Sequence, residues 1–339
     1  FRLPKEAVAL AAICAAVALA LAAAIRRRGI AFPKGAAVWT LLALPLLQAC
    51  SAAWSASPAR SLETAAASAI WVLAIAWLAT LDEGSRRLTG VAAVAGVVIS
   101  AGAVLMQLAG VEVFRLAAPF ASKRLSLTGL TGNPADLAMA AALLLPPLLV
   151  WGDSRGRRLL ARGLAAFLAF AVLVTQTLTG VVALIGMATV WLVRQRSRRL
   201  WLATAAIGVL AVGAALGLGL GERLQREAQR VADGDWYGLL SARGDGWAAA
   251  REMVAERPLG GVGAGHYTRE YYPSRLASLE REGGTGGRAE LASHFEWAHC
   301  DPLQVVAELG LGGVAWMLAF AWVVIRTRGR ADPQLPLMV

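Results

Sequence analysis

The run LTGVAAVAGVVISAGAVLMQLAG at residues 88–110 contains no charged side chain. A helix needs roughly 20 apolar residues to cross a hydrocarbon core of about 30 Å, and this run is long enough. The whole chain has the same character, since 58% of its 339 residues are hydrophobic and only 16% are charged. That balance lies outside the range of ordinary globular domains. The run therefore predicts a transmembrane helix, and the composition predicts an all-α integral membrane protein.

Eight further apolar runs have lengths that suit a membrane span or come close to it. They cover residues 7–25, 36–50, 64–81, 135–151, 159–175, 177–193, 200–221 and 303–325. The run at 36–50 is short and carries Pro45, and only the polar segment TQTLTG separates 159–175 from 177–193. A re-entrant arrangement of that pair is therefore an alternative. With the first run, the sequence predicts a polytopic protein with about nine transmembrane helices.

The positive charges predict the orientation of the chain, because Lys and Arg beside membrane spans stay in the cytoplasm. One set of alternate loops carries 17 of them and the short segments of the other side carry 6. The polar interval 221–302 lies on the side with fewer positive charges. Its own charges are left out of the count, because long translocated loops do not follow the rule. The short segments therefore decide the orientation, and we expect the interval to face away from the cytoplasm. The richer set is Arg26, Arg27, Arg28, Lys34, Arg86, Arg87, Arg155, Arg157, Arg158, Arg162, Arg194, Arg196, Arg198, Arg199, Arg326, Arg328 and Arg330; the poorer set is Arg2, Lys5, Arg60, Arg115, Lys123 and Arg124.

These patterns divide the chain into a transmembrane bundle at 1–220, a large polar insert with amphipathic helices at 221–302, and a final transmembrane helix with a cytoplasmic end at 303–339. The net charge of +11 follows mostly from the membrane topology, so no nucleic-acid partner is expected. The chain opens on Phe1 and stops at RADPQLPLMV, where another span would begin, so we expect a fragment of a longer protein.

The insert contains several short patterns. The segment GERLQREAQRVAD from 221 predicts a polar helix that continues the preceding span. Asp245 is expected to cap a helix over about 246–257 that lies along the membrane surface, and Pro258 helps to end it. The glycines between 260 and 265 are expected to form turns that approach a lipid head group, because no strand precedes them as a dinucleotide site would require. The interval 267–293 is rich in Gly and Arg and is expected to be mobile.

All three histidines of the chain, His266, His294 and His299, lie in this insert. The segment HFEWAH lacks a glutamate directly after its first histidine and lacks the four-residue spacing of a zinc protease, although a zinc site assembled with His266 or Asp301 is an alternative. The three cysteines do not have the spacing of a metal or disulfide motif, and a Cys50–Cys300 bridge is the alternative. Glu308 is the clearest ionisable residue inside a span, which disfavours an ion relay. Histidine as a base and arginine as a phosphate ligand instead favour transfer chemistry at the outer surface.

Three segments together resemble the superfamily of O-antigen ligases and O-antigen polymerases. They are AHCDPLQVVAELGLGG at 298–313, RGDGWAAAREMVAERPLGGVGAGHY at 243–267, and RLSLTGLTGNPADLA at 124–138. The first is similar to the family's His-Asn-x-x-Leu-Gln followed by Glu-x-Gly, and the second to its Arg, Trp and Pro-Leu-x-Gly-x-Gly pattern. Two positions depart from the family, because Cys300 replaces an Asn and TQTLTG at 175–180 replaces a Ser-Arg pair.

The resemblance implies a helical architecture of the GT-C type and a bacterial inner-membrane enzyme of lipopolysaccharide or polysaccharide biosynthesis. Such an enzyme moves a glycan from undecaprenyl diphosphate to an acceptor at the periplasmic face, without a metal or other cofactor. Ligation to the lipid A core, polymerisation of repeat units and O-glycosylation of a protein are alternatives within the superfamily. A membrane transporter or a non-catalytic subunit for polysaccharide export is the alternative from another class. Membrane lipids are expected partners in every case.

The resemblance also implies roles for individual residues. His299 would activate the acceptor hydroxyl, and Arg243 would bind the diphosphate and stabilise its charge as it leaves. The residues expected to bind substrate are Arg124, Asn133, Tyr267, His266 and Glu308. Simpler roles are also open, in which Arg243 pairs with Glu252 or a lipid phosphate and Glu308 fixes a helix end. If the catalytic interpretation is right, His299 and Arg243 must lie close together.

Overall fold

The computed structural model describes residues 35–111, 127–131, 133–150, 154–195, 213, 216–217, 221–240, 242–281 and 295–328. Within these ranges the regular structure is helical and contains no strand. The helices are α1 (Ala36–Cys50), α2 (Pro58–Thr80), α3 (Glu83–Leu108), α4 (Pro134–Val150), α5 (Arg155–Val174), α6 (Leu178–Gln195), α7 (Gly221–Ala232), α8 (Trp236–Leu239), α9 (Arg243–Glu256), α10 (Tyr267–Arg281) and α11 (Asp301–Arg328). The all-α class is therefore confirmed for the described part of the chain.

Seven of the nine predicted spans fall on described helices, namely α1 to α6 and α11. Four segments are long and apolar enough to cross a membrane: Ala36–Ala53, Pro58–Leu78, Glu83–Leu108 and Asp301–Arg326. Helix α4 and the apolar part of α6 are shorter, and the start of α5 carries four arginines. The predicted spans at 7–25 and most of 200–221 lie outside the described residues. Nine spans remain a prediction, and four candidate spans are observed among the described helices.

Large apolar side chains point outwards from these helices. Trp39 on α1, Leu143 on α4 and Leu318 on α11 are 72%, 76% and 67% exposed. A helix that is apolar on its exposed side as well as its packed side needs an apolar solvent. The arrangement suits contact with lipid and supports the assignment of the chain as a membrane protein.

The described helices form two compact units. The first contains the described residues of 35–82 and of 230–328, and in it α1 packs on α2 and α11 while α9 packs on α10 and α11. The second begins at Glu83 and ends at Gln229, and in it α5 contacts α3, α4 and α6. The two units are groups of helices that contact each other. The predicted segments 1–220, 221–302 and 303–339 were instead divided by polarity along the sequence.

The second unit has a core of small apolar residues, including Ala138, Ala141, Ala165 and Leu168. Helices α5 and α6 form a hairpin whose turn is the polar segment that follows Val174. There the buried Thr175 hydroxyl donates to the Val172 carbonyl at 2.6 Å and shares a 2.6 Å hydrogen bond with the Thr177 hydroxyl. The turn therefore satisfies its own polar groups, as a buried turn must.

The insert has a hydrophobic core of its own in the first unit. Met253 on α9, Tyr267 and Tyr271 on α10, and Phe295 and Ala298 before α11 are all buried in it. Helix α9 therefore lies against protein, and the prediction of a surface helix is wrong for its apolar face. The interval 267–293 was expected to be mobile, and its described part is the helix α10, which ends at Arg281.

The segment at 258–266, here called the glycine loop, packs against a break in α11. Gly310 has φ 57° and ψ −140°, which interrupts the helix. The carbonyls of Ala307 and Glu308 accept instead from the amides of Val262 and Gly263, both at 2.9 Å. In return, the Leu311 amide donates to the Pro258 carbonyl at 3.0 Å. The loop replaces the helical hydrogen bonds that the kink removes.

The other side of the glycine loop contacts the connection between α1 and α2. The Trp54 indole donates to the Gly260 carbonyl at 2.9 Å, the Ser61 hydroxyl donates to the Ala264 carbonyl at 3.1 Å, and the Ala264 amide donates to the Ser51 hydroxyl at 3.0 Å. A side chain at Gly261 would collide with the Glu308 backbone. The expectation that the glycines approach a lipid head group is therefore wrong for Gly261, because its close neighbour is another part of the chain.

Candidate functional site

His299 stands at the start of α11 in an uncommon backbone conformation. Its φ is 54°, in the left-handed region, and its side chain is exposed. The ring meets the buried Phe295 ring edge to face, with centroids 5.5 Å apart. The Cys300 carbonyl accepts the first helical bond from the Gln304 amide at 3.0 Å, so Cys300 is the N-cap. A left-handed residue at the edge of a buried cluster persists only where its surroundings hold it.

Gln304 supplies part of that support. Its side-chain carbonyl accepts from the Ala298 amide at 3.1 Å, and its NH2 group donates to the Glu308 carboxylate at 3.2 Å. Because a backbone amide can only donate and a carboxylate can only accept, these two partners fix the orientation of the Gln304 amide. The turn that carries His299 is thereby tied to the first two turns of α11.

Glu308 continues this connection to the glycine loop. Its carboxylate is buried and accepts from the Gly265 amide at 2.9 Å as well as from Gln304. Both carboxylate oxygens thus have protein partners, beside the first residues of α10. The structure gives Glu308 the role of fixing a helix end to a loop, and its assigned role in binding substrate stays a prediction.

Arg243 is the first residue of α9, and its side chain is exposed. The residue before it, Ala242, has φ 60° and reverses the chain after α8. Asp245 was expected to cap this helix from outside, but α9 begins two residues earlier. The Asp245 carboxylate is instead buried in an ion pair with Arg275, at 2.7 Å. That pair leaves Arg243 as the exposed charge of the first turn.

The segments that carry Arg243 and His299 lie against each other. A Cβ atom at Gly246 would meet the Ala298 carbonyl oxygen at 3.5 Å and the Tyr267 hydroxyl at 3.1 Å. Tyr267 is buried and donates to the Gly246 carbonyl at 2.8 Å. Arg243 is three residues from Gly246, which is about 4.5 Å of helix rise, and His299 follows Ala298 directly. The two residues predicted to lead the site therefore belong to adjoining segments of one unit.

His266 has a buried ring whose nitrogens both bond to backbone. The Ser57 amide donates to Nε2 at 3.0 Å, and Nδ1 lies 3.0 Å from the Ala264 carbonyl. Because Nε2 must accept, the proton is on Nδ1 and the ring is neutral. His266 joins the glycine loop to the start of α2, and direct contact with a substrate would break one of these bonds.

The remaining predicted residues are Asn133, Arg124 and His294. Asn133, in the second unit, is exposed, and its side-chain oxygen accepts from the Ala135 amide at 3.0 Å, which caps α4 with Pro134 at the first helical position. Arg124 and His294 lie outside the described residues. Among residues that are described, no group of three or more His, Cys, Asp or Glu is placed to hold a metal, and Cys50 and Cys300 are both free thiols.

This arrangement suits a phosphorylated ligand. The start of α9 and the start of α11 adjoin, and helix starts carry a positive partial charge. In α9 the Arg243 and Asp245 amides already donate to the Leu240 and Ala242 carbonyls, both at 3.0 Å. Arg243 adds a guanidinium, whose fork matches phosphate oxygens. The two nearby buried carboxylates, Asp245 and Glu308, already have protein partners. The exposed His299 imidazole and the exposed Asp301 carboxylate, in the first turn of α11, both lie beside these donors.

These features define a class of protein. It is a membrane-embedded helical protein with a packed polar insert and an exposed histidine at a helix start. Residues 163–318 match the family model described as O-Antigen ligase. The matched part of the chain includes α9, the glycine loop and His299, and the match supports the O-antigen ligase and polymerase superfamily. That family implies membrane glycosyl transfer of the ligase or polymerase type. Comparisons with curated proteins and with solved structures gave no match.

Sequence reasoning missed three residues that shape the site. Gln304 belongs to the Leu-Gln pair of the resemblance but was assigned no role, and Arg275 neutralises Asp245 from α10. Gly310 is the glycine of the Glu-x-Gly pattern, and its positive φ creates the break that accepts the glycine loop. The signals for Gln304 and Gly310 were in the quoted segment, whereas nothing in the sequence pairs Arg275 with Asp245.

Proposed function

We propose that this protein transfers a glycan from an undecaprenyl-diphosphate carrier to an acceptor hydroxyl at the periplasmic face of the bacterial inner membrane. The observation that carries the proposal is the adjacency of two segments, one with the exposed Arg243 at a helix start and the other with the exposed His299 in a left-handed conformation. The family to which residues 163–318 belong supports the same type of reaction.

The transfer reaction needs a base for the acceptor hydroxyl and a cation for the departing diphosphate. The acceptor oxygen forms a bond to the anomeric carbon while the bond from that carbon to the diphosphate oxygen breaks, and the bonding electrons leave with the diphosphate. The Arg243 guanidinium and the positive ends of the two helices stabilise the charge that develops there. His299 takes the proton of the acceptor hydroxyl. The products are the glycosylated acceptor and undecaprenyl diphosphate.

Arg124 and Asn133 remain proposed contacts for the donor, and His266, Tyr267 and Glu308 serve mainly to hold the site in shape. Their buried side chains bond to backbone at the Ser57, Gly246 and Gly265 positions. Loss of any of them would disturb the placement of Arg243 or His299. Their contribution to transfer is therefore expected to act through position.

Glycan profiling of a deletion strain tests the proposal in the cell. Complementation with the unaltered chain restores the mature glycan, and complementation with His299→Ala or Arg243→Ala does not. Arg251→Ala is the matched control, because Arg251 is an exposed arginine further along α9. Full restoration by both site variants would remove these residues from the mechanism. The glycan that fails to mature identifies the acceptor as lipid A core, a growing polymer or a protein.

A further inference from the structure

We propose that Gln304 is a positioning residue for His299, and that it works as one unit with Glu308. This inference rests on the proposed function, since it concerns the same transfer step. The unit is a continuous series of hydrogen bonds: the Ala298 amide donates to Gln304, the Gln304 NH2 group donates to Glu308, and the Gly265 amide donates to Glu308. It begins one residue before His299 and ends in the glycine loop.

The position of the series explains why it matters for His299. His299 has a positive φ, which is uncommon for a residue other than glycine and needs support from its neighbours. Gln304 is half-buried and holds the amide directly before His299. The N-cap residue Cys300 offers only a weak acceptor, where Asn, Ser or Asp would cap the helix with an oxygen. Gln304 therefore supplies the polar side-chain bond that ties this turn to α11.

The order of donors and acceptors along the series is fixed. Both ends are backbone amides, which only donate, so Gln304 must present its oxygen to Ala298 and Glu308 must present an oxygen to Gly265. Between the two side chains, one donor must therefore meet one acceptor. Gln304→Glu sets two carboxylates against each other at this point. Glu308→Gln places a second amide there, and one of the two backbone amides then faces a donor.

Exchange of the two side chains restores every bond. In the double variant with Gln304→Glu and Glu308→Gln, the carboxylate at 304 accepts from the Ala298 amide and from the new NH2 group at 308. The oxygen of the new amide accepts from Gly265. If either residue had a purely apolar or steric role, the exchange would not restore transfer. Recovery of transfer in the double variant therefore depends on the order of hydrogen-bond donors and acceptors.

The experiment uses the full chain in four forms: unaltered, each single variant, and the double exchange. Transfer is measured in membranes of the deletion strain, undecaprenyl diphosphate without glycan is the binding probe, and the folded fraction is measured by size-exclusion chromatography in detergent. We expect each single variant to lose transfer by about tenfold to a hundredfold, the scale expected for a misplaced reacting group. We expect binding of the probe within about twofold of the unaltered chain, since Arg243 is untouched. The double exchange recovers most of the transfer.

Gln225→Glu is the matched control for the added charge, because Gln225 is exposed on α7; it is expected to transfer normally. The proposal is overturned by single variants that transfer like the unaltered chain. It is also overturned by a folded double exchange that is no faster than the single variants, or by a loss of folded protein or of probe binding that matches the loss of transfer. Failure of the unaltered chain to transfer any glycan would instead refute the proposed function.

Discussion

Two buried turns of this protein satisfy their polar groups in opposite ways. In the turn between α5 and α6, the Thr175 hydroxyl bonds to the Val172 carbonyl three residues back and to the Thr177 hydroxyl two residues on. In the glycine loop, the Ala264 amide bonds to Ser51, 213 residues away, and the Gly265 amide bonds to Glu308, 43 residues away. The first turn depends on its own sequence, whereas the second depends on helices from both ends of the chain. The candidate site is built on the second kind.

The comparison predicts the largest effect at Gly261. Its φ is +67°, and a Cβ atom there would collide with the Glu308 carbonyl carbon and oxygen, both of them backbone atoms that cannot turn aside. Gly261→Ala is therefore expected to destabilise the protein by at least about 4 kcal/mol. The measurement is the yield of folded full-length protein in detergent. Normal yield and normal transfer would show that the loop is not a fixed element.

The buried ion pair between Arg275 and Asp245 comes next. The two side chains are 6% and 5% exposed, so Arg275→Met leaves a buried carboxylate without its cation and costs about 3 kcal/mol. A matched control is Arg226→Met, whose ion pair with Glu222 is exposed and contributes under about 1 kcal/mol. Denaturant unfolding of both variants checks the difference. Equal effects would contradict the view that α9 and α10 are joined through a buried charge.

Tyr267→Phe is expected to have a smaller effect. Burial raises the pKa of Tyr267, which keeps the phenol protonated and able to donate to Gly246. Loss of this bond is expected to cost about 1 kcal/mol and to lower transfer, because Gly246 adjoins the histidine turn.

The raised pKa of Tyr267 predicts that the stability of the protein depends on pH. A raised pKa of the folded state gives stability that is complete below the ordinary tyrosine value near 10 and is lost as the pH rises above it. Unfolding at pH 8 and pH 11 checks this, and the unaltered chain is expected to lose more stability between them than the variant. Tyr271, whose pKa burial also raises, causes part of the loss in both. An identical loss in both would argue against a buried phenol at 267.

The smallest effect, with the opposite sign, is expected in the second unit. Gly163 lies on the exposed side of α5, and a Cβ atom added there would have no neighbour within 4 Å. Gly163→Ala should stabilise the helix by about 0.5 to 1 kcal/mol, because alanine loses less backbone entropy on folding. The measurement is again denaturant unfolding of the full chain. A destabilisation similar to that of Gly261→Ala would erase the contrast between the two regions.

The sequence predicted those parts of the fold that depend on local patterns. Apolar runs located seven of the described helices, because span length is a short-range property of the sequence. The helix after Asp245 was found, but its start was placed too late. The pattern could not show that Arg275 would draw that carboxylate into the protein.

The two leading residues of the candidate site stay predictions, and the residues that support them could not be predicted from the sequence. His299 and Arg243 came from the family resemblance, and both are exposed at helix starts of one unit. The roles of His266 and Glu308 in fixing the glycine loop depend on partners at Ser57 and Gly265, which only the folded chain brings near. Gly261 looked like a residue for a ligand because the sequence cannot say whether a close backbone neighbour is a ligand or another helix.

The most direct test of the account separates binding from transfer at its two leading residues, with purified full-length protein and undecaprenyl diphosphate as the probe. Arg243→Ala should weaken binding about tenfold or more, the value of a lost charge-assisted hydrogen bond, while Arg251→Ala should bind normally. His299→Ala should bind the probe and fail to transfer glycan. An Arg243→Ala variant that binds as tightly as the unaltered chain would contradict the claim that this arginine holds the diphosphate beside the histidine.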